Sequence, residues 1–229
     1  MGKWMKTLLF LVGSAILTHL IPFSAFFRNV DTMIHEFGHA MVTLLLSGQV
    51  KYIELYVDHS GITQTSVTNH WTIIPIALAG YATASLFAWF LFSMYAKGNQ
   101  RFGLIIVMAI AVLSLVFFVR NGFGITWLVG FVGLTILMLA FTGKTITNYY
   151  YLFISFLVLE ESVFGPLSLS IYAFHAPRRA GDASVLSSVT FVPAMVWAIG
   201  LTLFSLWCAK WAIQAFAGRK SKGKYASEE

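Results

Sequence analysis

Five consecutive residues, His35-Glu36-Phe37-Gly38-His39, set two imidazoles four positions apart with a carboxylate between them. On a helix of 3.6 residues per turn, His35 and His39 share one face and both rings can ligate a single ion. Glu36 stands beside that row, so its carboxylate reaches a water on the ion instead of the ion itself. Zinc lowers the pKa of such a water toward about 7, and a neighbouring carboxylate can take its proton and later hand it to a leaving amine. The chemistry implied is metal-assisted hydrolysis of an amide. With six His in 229 residues, and as many Glu, random placement produces this pattern in roughly 0.4% of chains.

Catalytic zinc takes three protein ligands and keeps one position for water, so a third donor is required. Asp182, Glu160, Glu161, His175, His59, His70, His19 and Asp31 all lie near the ends of apolar runs. Asp31 also fits a cap or dipole partner of the motif helix. Asp182 opens a late apolar run, where a helix N-cap reads as well as a ligand. The Glu160-Glu161 pair closes another run and ranks behind Asp182, with at least one of the two expected to meet water at the membrane interface.

The elements that must position these residues belong to a membrane. Hydrophobic residues make up 58% of the chain and charged residues 10%, against roughly 25% charged in soluble domains. Seven stretches approach the ~20 apolar residues that a bilayer core needs: 4–26, 30–46, 71–95, 102–119, 123–141, 147–163 and 184–211. Backbone polar groups stay paired in lipid only within helices or closed barrels. The expected fold is therefore an all-α polytopic membrane protein of six or seven transmembrane helices, with residues 1–229 forming a single integral domain. The first stretch reads as a retained span and not a cleaved leader. Pro193 is expected to kink the last one. Ionisable residues inside such helices are costly and mark functional sites, while Gly38 and Ala40 leave room for a neighbouring helix.

One segment breaks the helical pattern. Ile53, Leu55 and Val57 alternate with polar or aromatic neighbours, Asp58-His59-Ser60-Gly61 turns, and Ile62-Thr63-Gln64-Thr65 follows. Residues 51–67 read as a β-hairpin directly after the motif helix. A hairpin so placed has a free edge able to pair with an extended peptide through main-chain hydrogen bonds.

The net charge of +6 arises from 15 Lys and Arg that sit between apolar runs or in a basic polar tail, expected over 212–229, with Arg219, Lys220, Lys222 and Lys224. Headgroup contact and insertion topology account for such a pattern, and no nucleic-acid partner is expected. A single cysteine, Cys208, forms no internal disulfide. The sequence leaves the oligomeric state open.

The motif helix, Gly48 and the β-like segment with Gly61-Ile62-Thr63, Ala79-Gly80 in the next span, and Asp182 opening a late span resemble the site-2 protease family of intramembrane zinc metalloproteases. Gly181-Asp182-Ala183-Ser184-Val185-Leu186, followed by Thr190, Pro193 and Trp197, is similar to a compact bacterial-type branch of that family. The resemblance covers residues 30–81 and 181–197. It departs from the family's Asn-x-x-Pro and Asp-Gly signature, since Gly181 precedes Asp182 and Ala183 follows it, and no PDZ-like insertion fits between spans. The resemblance implies Zn2+ held by His35, His39 and Asp182, with Glu36 as general base. It implies a hairpin that takes substrate as an added strand, through Ile53, Leu55, Gly61, Ile62 and Thr63. The substrate would be a transmembrane protein or peptide, and the location a bacterial plasma membrane. Two other readings use the same residues: a transporter whose cation path is lined by His35, Glu36, Glu160 and Glu161, and a catalytically idle relative that binds membrane partners.

Overall fold

The structure, a computed structural model, describes residues 12–13 and 24–225, with side chains through residue 218. The expected first span, 4–26, and His19 lie almost entirely outside the described residues. Seven α-helices and one two-stranded sheet follow: α1 Ser24–Leu45, β1 Gln49–Leu55, β2 Gly61–Ser66, α2 Ile73–Ala96, α3 Gln100–Leu113, α4 Gly122–Phe141, α5 Lys144–His175, α6 Gly181–Thr190 and α7 Ala194–Tyr225. Among the described residues five segments are long and apolar enough to cross a membrane: His70–Ala96, Gln100–Phe118, Gly122–Phe141, Lys144–His175 and Ala194–Gly218. Helix α1, at 22 residues, is about 33 Å long at 1.5 Å per residue, but its polar row leaves it less apolar than these five.

Helix α2 is central, packing against α1, α5 and α7, and α5 also lies along α7. Its contact face is built of small buried residues, Ala77, Ala79, Gly80, Ala84, Ser85 and Ala88, which let neighbouring backbones approach closely. The core between these helices is filled by Met33, Ile34, Leu91, Phe92, Leu104, Phe131, Tyr151 and Leu157, all essentially inaccessible. Tyr151 is fixed within it by donating its hydroxyl to the Leu91 carbonyl at 2.6 Å. A smaller cluster, with Leu169, Ala173, Ala183, Ala194, Ala198 and Leu201, seats α6 beside α5 and α7.

Helix α1 turns into the sheet through Ser47, which is left-handed at φ 59°, and Gly48, whose N–H donates to the Thr43 carbonyl at 2.8 Å. This is a C-terminal cap of the left-handed type. A side chain at residue 48 would come within 2.8 Å of the Thr43 methyl. The hairpin is antiparallel, pairing Ile53 with Thr63 and Leu55 with Gly61, with a register irregularity between Val50 and Tyr52. Its turn is closed by the His59 N–H on the Tyr56 carbonyl at 3.2 Å, and His59 itself is left-handed at φ 67°.

The motif helix starts at Ser24 and not at residue 30, the hairpin begins at Gln49 and not at residue 51, and three later boundaries also differ from the sequence expectation. Helix α5 runs through His175, past residue 163, because Pro166 is carried inside a helix already committed by packing on both sides. The expected span 184–211 is two helices: Phe191 takes a left-handed conformation at φ 61°, Pro193 has no N–H to extend α6, and the chain breaks where a kink was foreseen. The polar tail does not begin at 212. Ala212 is fully buried and Phe216 stacks on Tyr95 with ring centroids 5.4 Å apart, so helix α7 carries the core through at least residue 216.

Candidate metal centre

His35 and His39 lie one turn apart on α1, and Asp182 approaches them from the first turn of α6. His39 Nε2 is 3.0 Å from His35 Nε2, and each of these nitrogens is 3.3 Å from Asp182 Oδ2. Among the described residues this is the one grouping of three such donors within metal-binding distance of each other. A tetrahedral zinc site, with ligand bonds of about 2.0–2.2 Å, separates its ligand atoms by about 3.3 Å, so the observed triangle has the size an ion needs.

The tautomers agree with this. His39 Nδ1 lies 2.6 Å from the Ile76 carbonyl, which can only accept, so Nδ1 carries a proton and, in the neutral ring that ligates a metal, Nε2 presents a lone pair. That lone pair faces another imidazole nitrogen and a carboxylate oxygen. Three electron-rich atoms at this spacing repel unless a cation lies among them, so the donor set fits zinc. The His35 ring is held by the edge of Tyr81, at a centroid distance of 4.4 Å.

Helix α2 must come very close for this to work. A Cβ at Gly80 would fall 2.5 Å from His35 Nε2 and Cε1, and one on Gly38 would fall 2.9 Å from the Ala79 carbonyl. The two glycines, one on each helix, set the approach that lets Ile76 and Tyr81 reach the histidines.

Glu36 is buried, beside the triangle and outside it. Thr63 Oγ1 lies 2.5 Å from Glu36 Oε2 and 3.1 Å from its backbone carbonyl, and Gly61 lies so close that a Cβ there would sit 2.7 Å from Glu36 Oε1. A second tie, Thr32 Oγ1 to the His59 carbonyl at 2.8 Å, fastens the hairpin turn to the same helix. The triangle, Glu36 and β2 open onto one cleft of about 550 Å³, also lined by Asp31, His59, Ile73, Tyr81, Glu161 and Val185.

The five hairpin residues separate into two groups. Gly61, Ile62 and Thr63 line the cleft. Ile53 and Leu55 do not, because both side chains are buried in the core and the outer edge of β1 is taken. Val119 forms a parallel bridge to Ile53, the Arg120 N–H donates to the Ile53 carbonyl at 3.1 Å, and the Asn121 amide brackets Leu55, accepting from its N–H at 3.2 Å and donating to its carbonyl at 2.6 Å. Among the described residues the sheet has two strands, and β2 is the edge without a neighbouring strand.

Other donors foreseen from sequence stand elsewhere. Glu160 is buried and is reached by Arg28 of α1 at 3.3 Å, while Glu161, which Arg28 meets at 2.5 Å, is partly exposed and lines the cleft. Asp31 is no N-cap, since α1 begins seven residues earlier, at Ser24; it lines the cleft away from the triangle. His70 and His175 are exposed at helix ends. His59 belongs to the hairpin turn, where partial burial and then the Arg28 charge lower its pKa. Its neighbour Asp58 accepts from the Ser60 hydroxyl at 2.6 Å and the Ser60 N–H at 3.1 Å, which hold its carboxyl below the usual range. Sequence reading missed Tyr81, the Ile76 carbonyl, Arg28 and the hold of Thr63 on Glu36. Only the small pair Ala79-Gly80 hinted at the first two.

A bundle of apolar helices enclosing a His-Glu-x-x-His turn, with a carboxylate brought to it from a distant helix, defines the class: a polytopic membrane protein with a candidate metal centre between its helices. The family model described as Peptidase M50B-like matches residues 7–212, and the chain belongs to that family, part of the site-2 protease family of intramembrane metalloproteases. No curated protein and no solved structure matches the chain.

Proposed function

We propose that this protein is a zinc-dependent intramembrane endopeptidase that hydrolyses peptide bonds of transmembrane proteins or peptides, in a bacterial plasma membrane. The observation that carries the proposal is the common cleft: the His35, His39 and Asp182 donor atoms, the Glu36 carboxylate and the open edge of β2 all face one cavity. His35, His39 and Asp182 would hold the ion. When bound there, zinc supplies Lewis-acid polarisation of a carbonyl and an acidified water.

The remaining work falls to the chain. Glu36 takes a proton from the attacking water and returns it to the amine that leaves. A peptide bond in an intact transmembrane helix has its carbonyl hydrogen-bonded and is out of reach, so the substrate must be locally extended. The edge of β2 offers main-chain partners to an extended segment, and substrates with weak helix formers near the cut would pay least to unwind. The polar lining of the cleft, Asp31, Thr32, Thr63 and Glu161 among others, gives water a place to wait. A cation path through Glu160 and Glu161 is not favoured, because both are engaged by Arg28.

The test is a purified full-length chain in proteoliposomes with a panel of single-span reporter proteins carrying a Gly-Pro pair at mid-span. Wild type is expected to bind one zinc and cut some reporters, while Glu36→Gln keeps the zinc and loses cleavage by at least about 100-fold. Cleavage that survives Glu36→Gln would refute the general-base assignment. Asp182→Ala is expected to lower zinc occupancy; a variant that holds metal as tightly as wild type would remove Asp182 from the ligand set.

A further inference from the structure

We propose that Thr63 is a positioning residue for Glu36, fixing the general base to the same strand that receives the substrate. This rests on the protease reading above and adds to it the means by which the cut bond and the base are held in register.

Thr63 lies mid-strand on β2, paired with Ile53 on β1. Along β2 the half-buried residues are Gly61, Thr63 and Thr65, and the exposed ones are Ile62, Gln64 and Ser66, the period-two alternation of a strand with one face on a support. The support is α1, and on that face Thr63 is the residue that hydrogen-bonds Glu36. Its hydroxyl has one proton and two acceptors within range, the Glu36 backbone carbonyl at 3.1 Å and Oε2 at 2.5 Å. The shorter contact is to the charged oxygen, where a hydroxyl hydrogen bond is stronger, so the proton goes to the carboxylate.

Gly61 completes the cradle. With Oε2 held by Thr63, Oε1 lies against the Gly61 backbone, in space a methyl group would have to share at 2.7 Å. A free glutamate side chain samples several rotamers. This one is confined by a donor on one oxygen and a close backbone on the other.

The consequence for the reaction is geometric. A peptide laid along β2 takes its register from the β2 backbone, and Glu36 takes its position from a side chain of that strand. A base attached to the strand keeps its distance to the scissile bond when the hairpin shifts. One attached only to α1 would not. Misplacement of a catalytic group by about 1 Å costs on the order of 100-fold, so the tie should act on the chemical step and leave binding alone.

The experiment uses the reporter that wild type cuts fastest in the proteoliposome assay. Thr63→Val keeps the branched shape that suits a strand and removes the donor. The expected result is a kcat about 10- to 100-fold lower with KM and zinc content unchanged, and Thr63→Ser restoring most of the rate. Thr63→Ala, a second variant without a hydroxyl, is expected to match Val. A readout without turnover is the infrared stretch of the Glu36 carboxylate in 13C-glutamate-labelled protein, identified by its loss in Glu36→Gln. It should move in Thr63→Val and return in Thr63→Ser. Full kcat in both hydroxyl-free variants, a Ser variant as slow as Val, a loss carried entirely by KM, or an unmoved carboxylate band would each overturn the assignment. If wild type cuts no reporter, the protease reading itself falls; if Glu36→Gln still cleaves, the general-base assignment falls and the role of Thr63 with it. If Glu36→Gln is dead while Thr63→Val runs at full speed, only the role of Thr63 falls.

Discussion

At the scale of single residues, the centre depends as much on an absent side chain as on the ligands. Gly80 leaves a gap into which a methyl group could not be placed without coming within 2.5 Å of His35, and helix backbones are too stiff to yield that distance cheaply. Gly80→Ala is therefore expected to push the imidazoles out of the triangle and weaken zinc binding by about 10- to 100-fold, the range seen when the groups that orient metal ligands are disturbed. Competition with a chromogenic chelator measures it, and helicity unchanged by circular dichroism shows that the helices survive. Tyr81 has a gentler part. Its ring edge steadies His35, and such contacts contribute about 1 kcal/mol, so Tyr81→Ala should lower zinc affinity roughly fivefold while Tyr81→Phe leaves it unchanged. A Phe variant as impaired as Ala would show that the hydroxyl, and not the ring, supports the site.

At the scale of elements, the hairpin stands in position because its two edges are treated differently. β1 is closed by Val119 to Asn121, and among the described residues β2 has no second neighbouring strand. Asn121 satisfies both main-chain groups of Leu55, so Asn121→Ala strands a donor and an acceptor in a half-buried place, at a cost of about 1–3 kcal/mol for groups left unpaired. Faster amide exchange over residues 49–66, with the exchange of α2 and α5 unaltered, is the expected result; unaltered exchange in the hairpin would mean the clamp is idle. The hairpin and the motif helix were legible in sequence because their signals are local: alternation, a turn at Asp58 to Ser60, and two histidines one turn apart. The closure of β1 was not, since it comes from Val119 to Asn121, just past a π-helical turn at Ser114–Phe118 and more than sixty residues on. Ile53 and Leu55, which the family resemblance put in the substrate-holding strand, have buried side chains, and alternation gives the faces of a strand without saying which face is covered. The break at Phe191 was read only as a kink, because Pro193 marks the end of a helical hydrogen-bond ladder and the direction in which the chain resumes is set by packing of α6 on α2 and α7.

At the scale of the molecule, two ion pairs sharing Arg28 join the helix that bears the site to the bundle. Arg28 on α1 meets Glu160 and Glu161 on α5, 132 and 133 residues away in sequence. Sequence order gave no reason to join them, and the Glu160-Glu161 pair closing an apolar run suggested only that at least one of the two meets water at the interface. Two carboxylates and one guanidinium among apolar helices are costly to bury, and their mutual attraction offsets that cost only while all three are present. Removing the cation should therefore hurt more than removing all the charge. Arg28→Met is expected to destabilise the protein by roughly 3–5 kcal/mol, and the triple variant Arg28→Met with Glu160→Gln and Glu161→Gln to recover most of that loss. Denaturant titration in mild detergent micelles, read by tryptophan fluorescence, gives both numbers. The zinc site supplies an independent readout, because α1 carries His35 and His39 while Asp182 stays with α6. As α1 loosens from α5, zinc affinity in Arg28→Met should fall together with stability and return in the triple variant. An Arg28→Met protein as stable as wild type would show that apolar packing of α1 on α2 is sufficient to hold the centre, and that the ion pairs serve only to neutralise the glutamates.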